Sequence, residues 1–207
     1  MTVTIALVGA GNTGKTTLAR ALVLRLNEAG VAATLVEDPL HAWPPREGRS
    51  PTREELAALA REQTARIDQS TQGAVAVVDG TALGLAVACE LQFADASLYA
   101  QALAAHRAHA ITLLSTIEDT AGPNDARESA DRLLRAALAR GGVGYSVLHG
   151  DAAARLEAAW SLVQRRLKLP GTADASTSRT EWNWTCDKCS DPVCEHRMFS
   201  SLLDKRR

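Results

Sequence analysis

The stretch GAGNTGKTT, residues 9 to 17, constrains this chain most, because it fits the pattern GxxxxGK[ST] between an apolar strand and a helix. The preceding residues 2 to 8 are apolar and β-branched, and a helix with leucines at helical spacing is predicted from 15 to about 29. Glycines let a backbone wrap around phosphate groups, and the helix N-terminus adds positive potential. The pattern therefore predicts a strand, loop and helix that bind phosphate.

The same loop supplies the predicted ligands of ATP and Mg²⁺. Lys15 would bridge the outer phosphates, and Thr16 would give its hydroxyl group to Mg²⁺. Asp79 ends the third apolar run, where a carboxylate reaches Mg²⁺ directly or through water; the alternative is a plain turn aspartate before Gly80. The predicted nucleotide-binding set is Gly9, Ala10, Gly11, Asn12, Thr13, Gly14, Lys15, Thr16, Thr17 and Asp79.

Further apolar runs alternate with helical patterns along the chain. The runs cover residues 31–38, 74–80, 110–115 and 144–150, and the helices cover 53–70, 83–93, the segment after Asp125 and 151–167. Strands separated by helices pair in parallel through right-handed crossovers. The sequence therefore predicts an α/β fold of three layers with a five-stranded parallel sheet over residues 1–169, and the GxxxxGK[ST] loop after its first strand is typical of P-loop NTPases.

Two local signals refine this prediction. Thr52, with Glu55 three residues later, forms the capping-box signature that begins the helix at residue 53. The proline-rich stretch from 39 to 51 is predicted to be an irregular loop, with Pro39 favouring an extended exit from the second strand.

Charge and hydropathy narrow the classes of partner. The formal net charge is −1, and acidic and basic residues are interspersed, which favours small-molecule or protein partners over nucleic acid or a membrane surface. No apolar run approaches the roughly 18 residues of a membrane helix, and the first residues lack the pattern of a signal peptide. A cytoplasmic protein is expected.

Two adjacent acids, Glu37 and Asp38, end the second apolar run. Ligands of an α/β sheet gather at the carboxyl ends of its strands, so these acids are predicted to face the same crevice as Gly9 and Asp79. Either acid could deprotonate an acceptor hydroxyl group or position Mg²⁺. The alternative is a solvated pair of turn acids.

Two further polar residues are candidates for the site. Gln63 falls on a helix stripe that should face the sheet, and a buried amide there needs a partner, either a bound ligand or a backbone carbonyl. Arg127 follows a polar loop after the fourth strand; such a loop can close as a lid with its arginine on the transferring phosphate. The alternative for Arg127 is a surface position in the first turn of a helix.

Five segments together resemble the NadR-type (nicotinamide riboside kinase-like) P-loop ATPases, which are relatives of the deoxynucleoside kinases. They are GAGNTGKTTLARAL (9–22), LVEDP (35–39), LAREQ (59–63), VVDGTALGLAVACELQFAD (77–95) and EDTAGPNDARES (118–129). The resemblance covers roughly residues 3 to 167. It implies the use of ATP and Mg²⁺ and phosphoryl transfer to a nucleoside-like or other small hydroxyl compound.

The stretch DPLHAW (38–43) is also similar to a segment of the deoxynucleoside kinases. The similarity implies that Asp38 is the catalytic base and Trp43 a wall of the substrate pocket, although a surface tryptophan beside two prolines is an alternative. The family's Asp-Thr pair is interrupted by Gly80 in this chain, and its aromatic residue is missing from DTAGPNDAR. The resemblance therefore leaves the acceptor open.

A cysteine-rich tail follows the predicted domain. Residues 170–181 have the composition of a flexible linker, and residues 182–207 contain Cys186, Cys189, Cys194 and His196, spaced C-x2-C-x4-C-x-H. This spacing predicts a Zn²⁺-stapled tail, with Asp187, Asp191 or a distant ligand as alternatives to His196. A redox CxxC and a tail with inert thiols are the competing interpretations.

Two functions fit these observations. The first is an ATP-dependent small-molecule kinase or ATPase in which Lys15, Asp38 or Glu37, and Arg127 are catalytic and Trp43 and Gln63 contact the substrate. The alternative is an ATP-controlled regulatory or docking protein whose zinc tail binds a protein partner.

Overall fold

Five strands form one parallel sheet in the computed structural model, which describes residues 3–41, 43, 48–70, 74–117 and 125–169. The strands are β1 (Val3–Val8), β2 (Ala33–Val36), β3 (Val75–Asp79), β4 (Ile111–Ser115) and β5 (Ser146–Leu148). The helices are α1 (Lys15–Glu28), α2 (Arg53–Ser70), α3 (Ala82–Phe93), α4 (Tyr99–His106), α5 (Asp125–Arg140) and α6 (Ala152–Leu167). The predicted α/β fold is confirmed.

The strand order is β2-β3-β1-β4-β5, so β1 lies in the centre. Ile5, Ala6 and Leu7 of β1 have no exposed surface, as expected for a continuous apolar run covered on both faces. Leu7 pairs with Asp79 of β3 on one side and with Leu113 of β4 on the other. The register therefore brings the ends of β1, β3 and β4 to the same edge of the sheet.

The connections determine which face each helix covers. The chain passes from β1 to β2 in one direction along the sheet and returns through β3, β4 and β5 in the other. Because such crossovers are right-handed, α1 covers one face and α2 to α5 cover the opposite face. The loop after β1 leads to one face and the loops after its neighbours β3 and β4 lead to the other, which opens a crevice at the carboxyl end of β1.

Side-chain contacts agree with this division. Leu56 and Leu59 of α2, Leu83 and Leu85 of α3, and Leu138 of α5 belong to a single buried cluster. Arg25 of α1 forms an ion pair with Glu157 of α6 and lies 4.8 Å from the ring centroid of Trp160. Helices α1 and α6 are therefore neighbours.

The capping box at the start of α2 is present. The backbone N–H of Glu55 donates to Thr52 Oγ1 at 3.3 Å, and the N–H of Thr52 donates to Glu55 Oε2 at 2.8 Å. Both donors would otherwise lack a partner within the helix.

Two segments differ from expectation. Residues 39–41 are helical rather than irregular: Pro39 begins this helical turn, and Asp38 Oδ1 accepts from the N–H of Leu40 at 2.9 Å. Helix α4 was not predicted, because the end of α3 at Ala94 carries no glycine signal although its φ is 52°.

The chain divides between Arg166 and Leu167 into two units, and the structure describes only residues 167–169 of the second. The predicted linker 170–181 and tail 182–207 lie outside the described residues, so the predicted domain division stays a prediction. None of the helices described here has the length and apolar character required to cross a membrane.

Candidate functional site

The loop between β1 and α1 is held in a fixed shape. Gly9 has φ 148°, and a Cβ at this position would lie 2.5 Å from the carbonyl oxygen of Ser115. Thr13 Oγ1 donates to the carbonyl of Ala10 at 2.9 Å, and Gly14 adopts the left-handed conformation at the start of α1. The Gly9 and Gly14 positions therefore require glycine, and the loop presents the N-terminus of α1 to the crevice.

Lys15 lies across this loop. Its Nζ donates to the carbonyl of Ala10 at 2.8 Å. Burial lowers the pKa of Lys15, and the nearby carboxylates of Asp38 and Asp79 act in the opposite direction. A phosphate group entering the loop would replace the carbonyl as the partner of this ammonium group.

Asp79 and Thr16 fit a magnesium site. Asp79 is the last residue of β3 and is only 1% exposed, and its Oδ1 has no hydrogen-bond partner among the described residues. Thr16 Oγ1 lies 3.3 Å from His41 Nε2, and both Thr16 and Asp79 line one cavity. A buried carboxylate oxygen and a hydroxyl group are ligands that suit Mg²⁺ carrying nucleotide phosphates.

The two adjacent acids at the end of β2 are placed differently. Glu37 is exposed and pairs with Arg20 at 3.2 Å. Asp38 turns towards the sheet: a Cβ on Gly80 would lie 2.7 Å from Asp38 Oδ2, so the acid packs directly over this glycine. Burial raises the pKa of Asp38, and the negative charge of Asp79 adds to the increase. Of the two acids, Asp38 is therefore the one that faces the sheet and lines a cavity with Lys15.

Two arginines contact the loop from different helices. Arg127, in the first turn of α5, donates from Nε to the carbonyl of Gly11 at 3.0 Å and from Nη2 to that of Asn12 at 3.3 Å. Arg155 of α6 donates to the carbonyls of Thr13 at 2.6 Å and Thr116 at 3.1 Å. Together they tie α5 and α6 to the phosphate loop.

Arg155 was not predicted from the sequence. It is 7% exposed and lies on the same helix stripe as Ala159 and Val163, at a spacing of four residues. An arginine on the buried stripe of an amphipathic helix needs several acceptors, and that requirement is the signal that could have identified it.

Two cavities meet at the phosphate loop. The first, named here the α1–α6 cavity, encloses about 450 Å³ and is lined by loop residues, by Leu18 and Ala21 of α1, by Ala153 and Leu156 of α6, and by Arg127. The second, the α3–α5 cavity, encloses about 360 Å³. Its lining residues are Val8, Gly9, Ala10, Gly11, Asn12, Lys15, Asp38, Leu40, His41, Gly80, Thr81, Gly84, Leu85, Val87, Ala88, Leu91, Ala130 and Leu134.

A third cavity, the β2 cavity, contains the predicted magnesium ligands and is more polar. It is lined by Thr16, Arg20, Glu37, Asp38, Pro39, His41, Leu59, Glu62, Arg66 and Asp79. Asp38 and His41 therefore border both the α3–α5 cavity and the β2 cavity. Lys15, Thr16, Asp38 and Asp79 converge at the carboxyl edge of the sheet.

The two predicted substrate contacts, Trp43 and Gln63, are buried in the protein. Trp43 is 6% exposed, packs in the cluster with Leu56 and Leu59, and has the Arg49 guanidinium 5.5 Å from its ring centroid. Gln63 is fully buried and donates from Nε2 to the carbonyl of Gly80 at 2.9 Å, the backbone partner that the sequence offered as one alternative. Gln63 thereby supports the glycine on which Asp38 packs.

The predicted zinc ligands Cys186, Cys189, Cys194 and His196 lie outside the described residues, and zinc binding stays a prediction. The remaining cysteine, Cys89, is buried in α3.

Comparison with known proteins finds similarity in structure. No protein-family model and no curated protein sequence matches the chain. A NadR protein solved in complex with NAD and AMP-PNP matches with a TM-score of 0.63 and 17% identity over 80% of this chain. The match covers 49% of that NadR chain, so this chain spans about half of its length.

Two kinases of similar size also match. Thymidylate kinase from Ehrlichia chaffeensis has a TM-score of 0.60 and 16% identity, over 78% of this chain and 98% of its own. Deoxyadenosine kinase from M. mycoides, solved with bound dCTP, has a TM-score of 0.56 and 10% identity, over 79% and 100% of the two chains. The protein therefore has the fold of the P-loop kinases.

Proposed function

We propose that this protein transfers the γ-phosphoryl group of ATP to a hydroxyl group of a small organic molecule. The observation that carries the proposal is the position of Asp38. It is partly buried, packs on Gly80, and lines the same cavity as Lys15 and the phosphate loop. An acid in that place can accept a proton from a hydroxyl group that attacks a phosphate held by the loop.

Several contacts support ATP as the phosphoryl donor. The loop N–H groups and Lys15 form an anion site, and the α1–α6 cavity beside the loop has room for a nucleoside. Among proteins of the same fold, the NadR neighbour was solved with AMP-PNP. Thr16 and Asp79 would hold Mg²⁺, which would neutralise phosphate charge when ATP is bound.

The proposed reaction uses residues of this chain at each position. The acceptor oxygen forms a bond to the γ-phosphorus, the bond from that phosphorus to the β–γ bridging oxygen breaks, and ADP leaves. Asp38 takes the proton of the hydroxyl group. Lys15 and Arg127 stabilise negative charge on the phosphoryl oxygens, and Arg127 must first leave its carbonyl partners in the loop.

Matched substitutions of the adjacent acids test this proposal. With purified protein, ATP, Mg²⁺ and a panel of hydroxyl compounds, wild type should release ADP in an acceptor-dependent manner. Asp38→Asn should lower kcat about 100-fold or more, with the Kd for ATP nearly unchanged. Glu37→Gln should keep most of the activity, because this side chain is exposed and pairs with Arg20. A large loss in Glu37→Gln with an active Asp38→Asn would contradict Asp38 as the base.

We also propose that Cys186, Cys189, Cys194 and His196 bind one Zn²⁺ ion, and that the zinc-bound tail serves as a contact for a protein partner. The spacing of the first two cysteines supports this assignment. Elemental analysis of the full chain should find about one zinc per chain, and the double variant Cys186→Ser, Cys189→Ser should lose it. Zinc-free wild-type protein, purified without chelator, would contradict the assignment.

A further inference from the structure

The walls of the α3–α5 cavity are aliphatic, and its polar groups are gathered at one end. Leu40, Leu85, Val87, Ala88, Leu91, Ala130 and Leu134 form the walls. Lys15, Asp38, His41 and Thr81 line it from the loops that follow β1, β2 and β3, at the carboxyl edge of the sheet beside the phosphate loop. Thr81 Oγ1 is itself engaged by His106 and by the N–H of Leu83. A ligand in this cavity would contact hydrocarbon along most of its body and polar groups at one end, which is the pattern expected for an alcohol.

The charges at that end restrict the ligand further. Among the described residues that line the cavity, Lys15 and Asp38 carry the charged side chains. Lys15 belongs to the phosphate site, so an acceptor that itself carried a phosphate group would meet the carboxylate of Asp38 and no second cation among the described residues that line the cavity. Burying an unpaired charge against aliphatic walls is costly. The cavity therefore suits an uncharged body.

Gly84 is an exposed residue that lines the cavity and leaves open space at its Cβ position. It lies in the first turn of α3, and a Cβ at this position would meet no atom within 4 Å. Its φ is not among the positive values in the chain, so neither backbone strain nor crowding requires glycine here. Glycine in a helix costs about 1 kcal/mol relative to alanine. Gly84 also shares a helix face with Ala88 and Leu91, which line the same cavity.

We propose that the α3–α5 cavity binds an uncharged alcohol with an aliphatic or alicyclic body, and that Gly84 is the residue that admits this body. The inference rests on the proposed phosphoryl transfer and deepens it. The alcohol oxygen attacks the γ-phosphorus of ATP, its proton passes to Asp38, the bond to the bridging oxygen of ADP breaks, and a phosphate monoester forms.

The β2 cavity is the competing location for the acceptor. It also borders Asp38, but Arg20, Glu62 and Arg66 line it, and these residues suit a charged acceptor. Substitutions at Gly84 separate the two locations, because Gly84 lines only the α3–α5 cavity of the two.

The test uses two variants and three probes. Gly84→Leu fills the α3–α5 cavity, and Ala153→Leu fills the α1–α6 cavity instead. Cyclohexylmethanol, thymidine and thymidine monophosphate are the probes. Their binding to protein with Mg·ADP is followed by saturation-transfer NMR, and phosphoryl transfer is measured separately with ATP. Thermal unfolding of each variant establishes that it is folded.

Wild type should bind cyclohexylmethanol more tightly than either thymidine compound. Gly84→Leu should weaken this binding at least tenfold while the Kd for ATP stays within about twofold, and Ala153→Leu should show the reverse pattern. Unchanged cyclohexylmethanol binding in folded Gly84→Leu, or tighter binding of thymidine monophosphate, would overturn the inference. A third outcome separates the two proposals. If cyclohexylmethanol binds in a Gly84-dependent manner but no probe and no member of a wider alcohol panel receives the phosphoryl group, the binding site stands and the proposed function is contradicted.

Discussion

At the scale of single residues, the site depends on close contacts that only glycine permits. Gly80 has φ 78°, and Asp38 Oδ2 lies 2.7 Å from the position that a Cβ of residue 80 would take. The carbonyl of Gly80 is in turn held by Gln63. The position of the proposed base is therefore fixed by a glycine beneath it and by a buried amide.

Gly80→Ala should move Asp38 and reduce phosphoryl transfer. The added methyl group introduces left-handed strain of about 1–2 kcal/mol and displaces the acid, and misplacement by about 1 Å can lower a rate about 100-fold. Gly142→Ala is the matched control, since Gly142 has φ 62° but open space at its Cβ position. Urea unfolding should show similar losses of stability in both variants, and kinetic assays should show a loss of transfer only in Gly80→Ala. Equal activities would contradict the role assigned to this contact.

The sequence identifies Lys15, Thr16, Asp38 and Asp79, because each follows a strand at the same edge of the sheet. Position after the strand does not distinguish Asp38 from Glu37, and only the similarity of DPLHAW to the deoxynucleoside kinases favours Asp38. That distinction depends on side-chain direction at the end of β2, where Asp38 caps the turn at residues 39–41 and Glu37 reaches Arg20. Arg155 was missed because a basic residue on a helix is more often on the solvent side.

At the scale of elements, a chain of buried polar groups joins α3, α4 and β4. His106 Nδ1 lies 3.2 Å from Thr81 Oγ1, the cap of α3, and His106 Nε2 lies 3.1 Å from Thr112 Oγ1. His109 stands edge-on to His106, with ring centroids 4.9 Å apart. Burial lowers the pKa of His106 to about 3 and that of His109 to about 4.

These histidines predict how stability depends on pH. Below the ordinary histidine pKa of about 6.5 the unfolded chain takes up protons that the folded protein does not, so the free energy of unfolding decreases as pH falls towards 4. The slope is at most about 1.4 kcal/mol per pH unit for each histidine. In urea unfolding between pH 7 and 4.5, His106→Gln should reduce the slope. A slope unaltered by His106→Gln would refute this assignment.

Element prediction succeeded where the pattern was strong and local. The five strands and the capped helix α2 follow directly from apolar runs and from Thr52 with Glu55. Helix α4 was missed by prediction because it is only eight residues long and because α3 ends at an alanine in the left-handed conformation, where a glycine would have marked the end. Short helices of this kind depend on tertiary packing, here the burial of Tyr99, Ala102 and His106.

At the scale of the whole molecule, the proposed function depends on the strand order. The chain passes from β1 to β2 in one direction along the sheet and then returns through β3, β4 and β5 in the other. The helices that follow β1 and β3 lie on opposite faces, so cavities flank the phosphate loop on both sides. In the proposed function, the α1–α6 cavity would hold the nucleoside of ATP and the α3–α5 cavity would hold the acceptor. Their shapes depend on packing among α3, α5 and α6, which periodicity in the sequence does not specify.

The central claim is that the phosphoryl group passes to an organic hydroxyl group rather than to water. The most direct measurement follows γ-³²P-labelled ATP in the presence of Mg²⁺ and a panel of uncharged alcohols and nucleosides, with products separated by chromatography. Wild type should place the label in an organic phosphate monoester, and Lys15→Ala and Asp38→Asn should not. Label recovered only as ATP and inorganic phosphate, with every acceptor tested, would contradict the account.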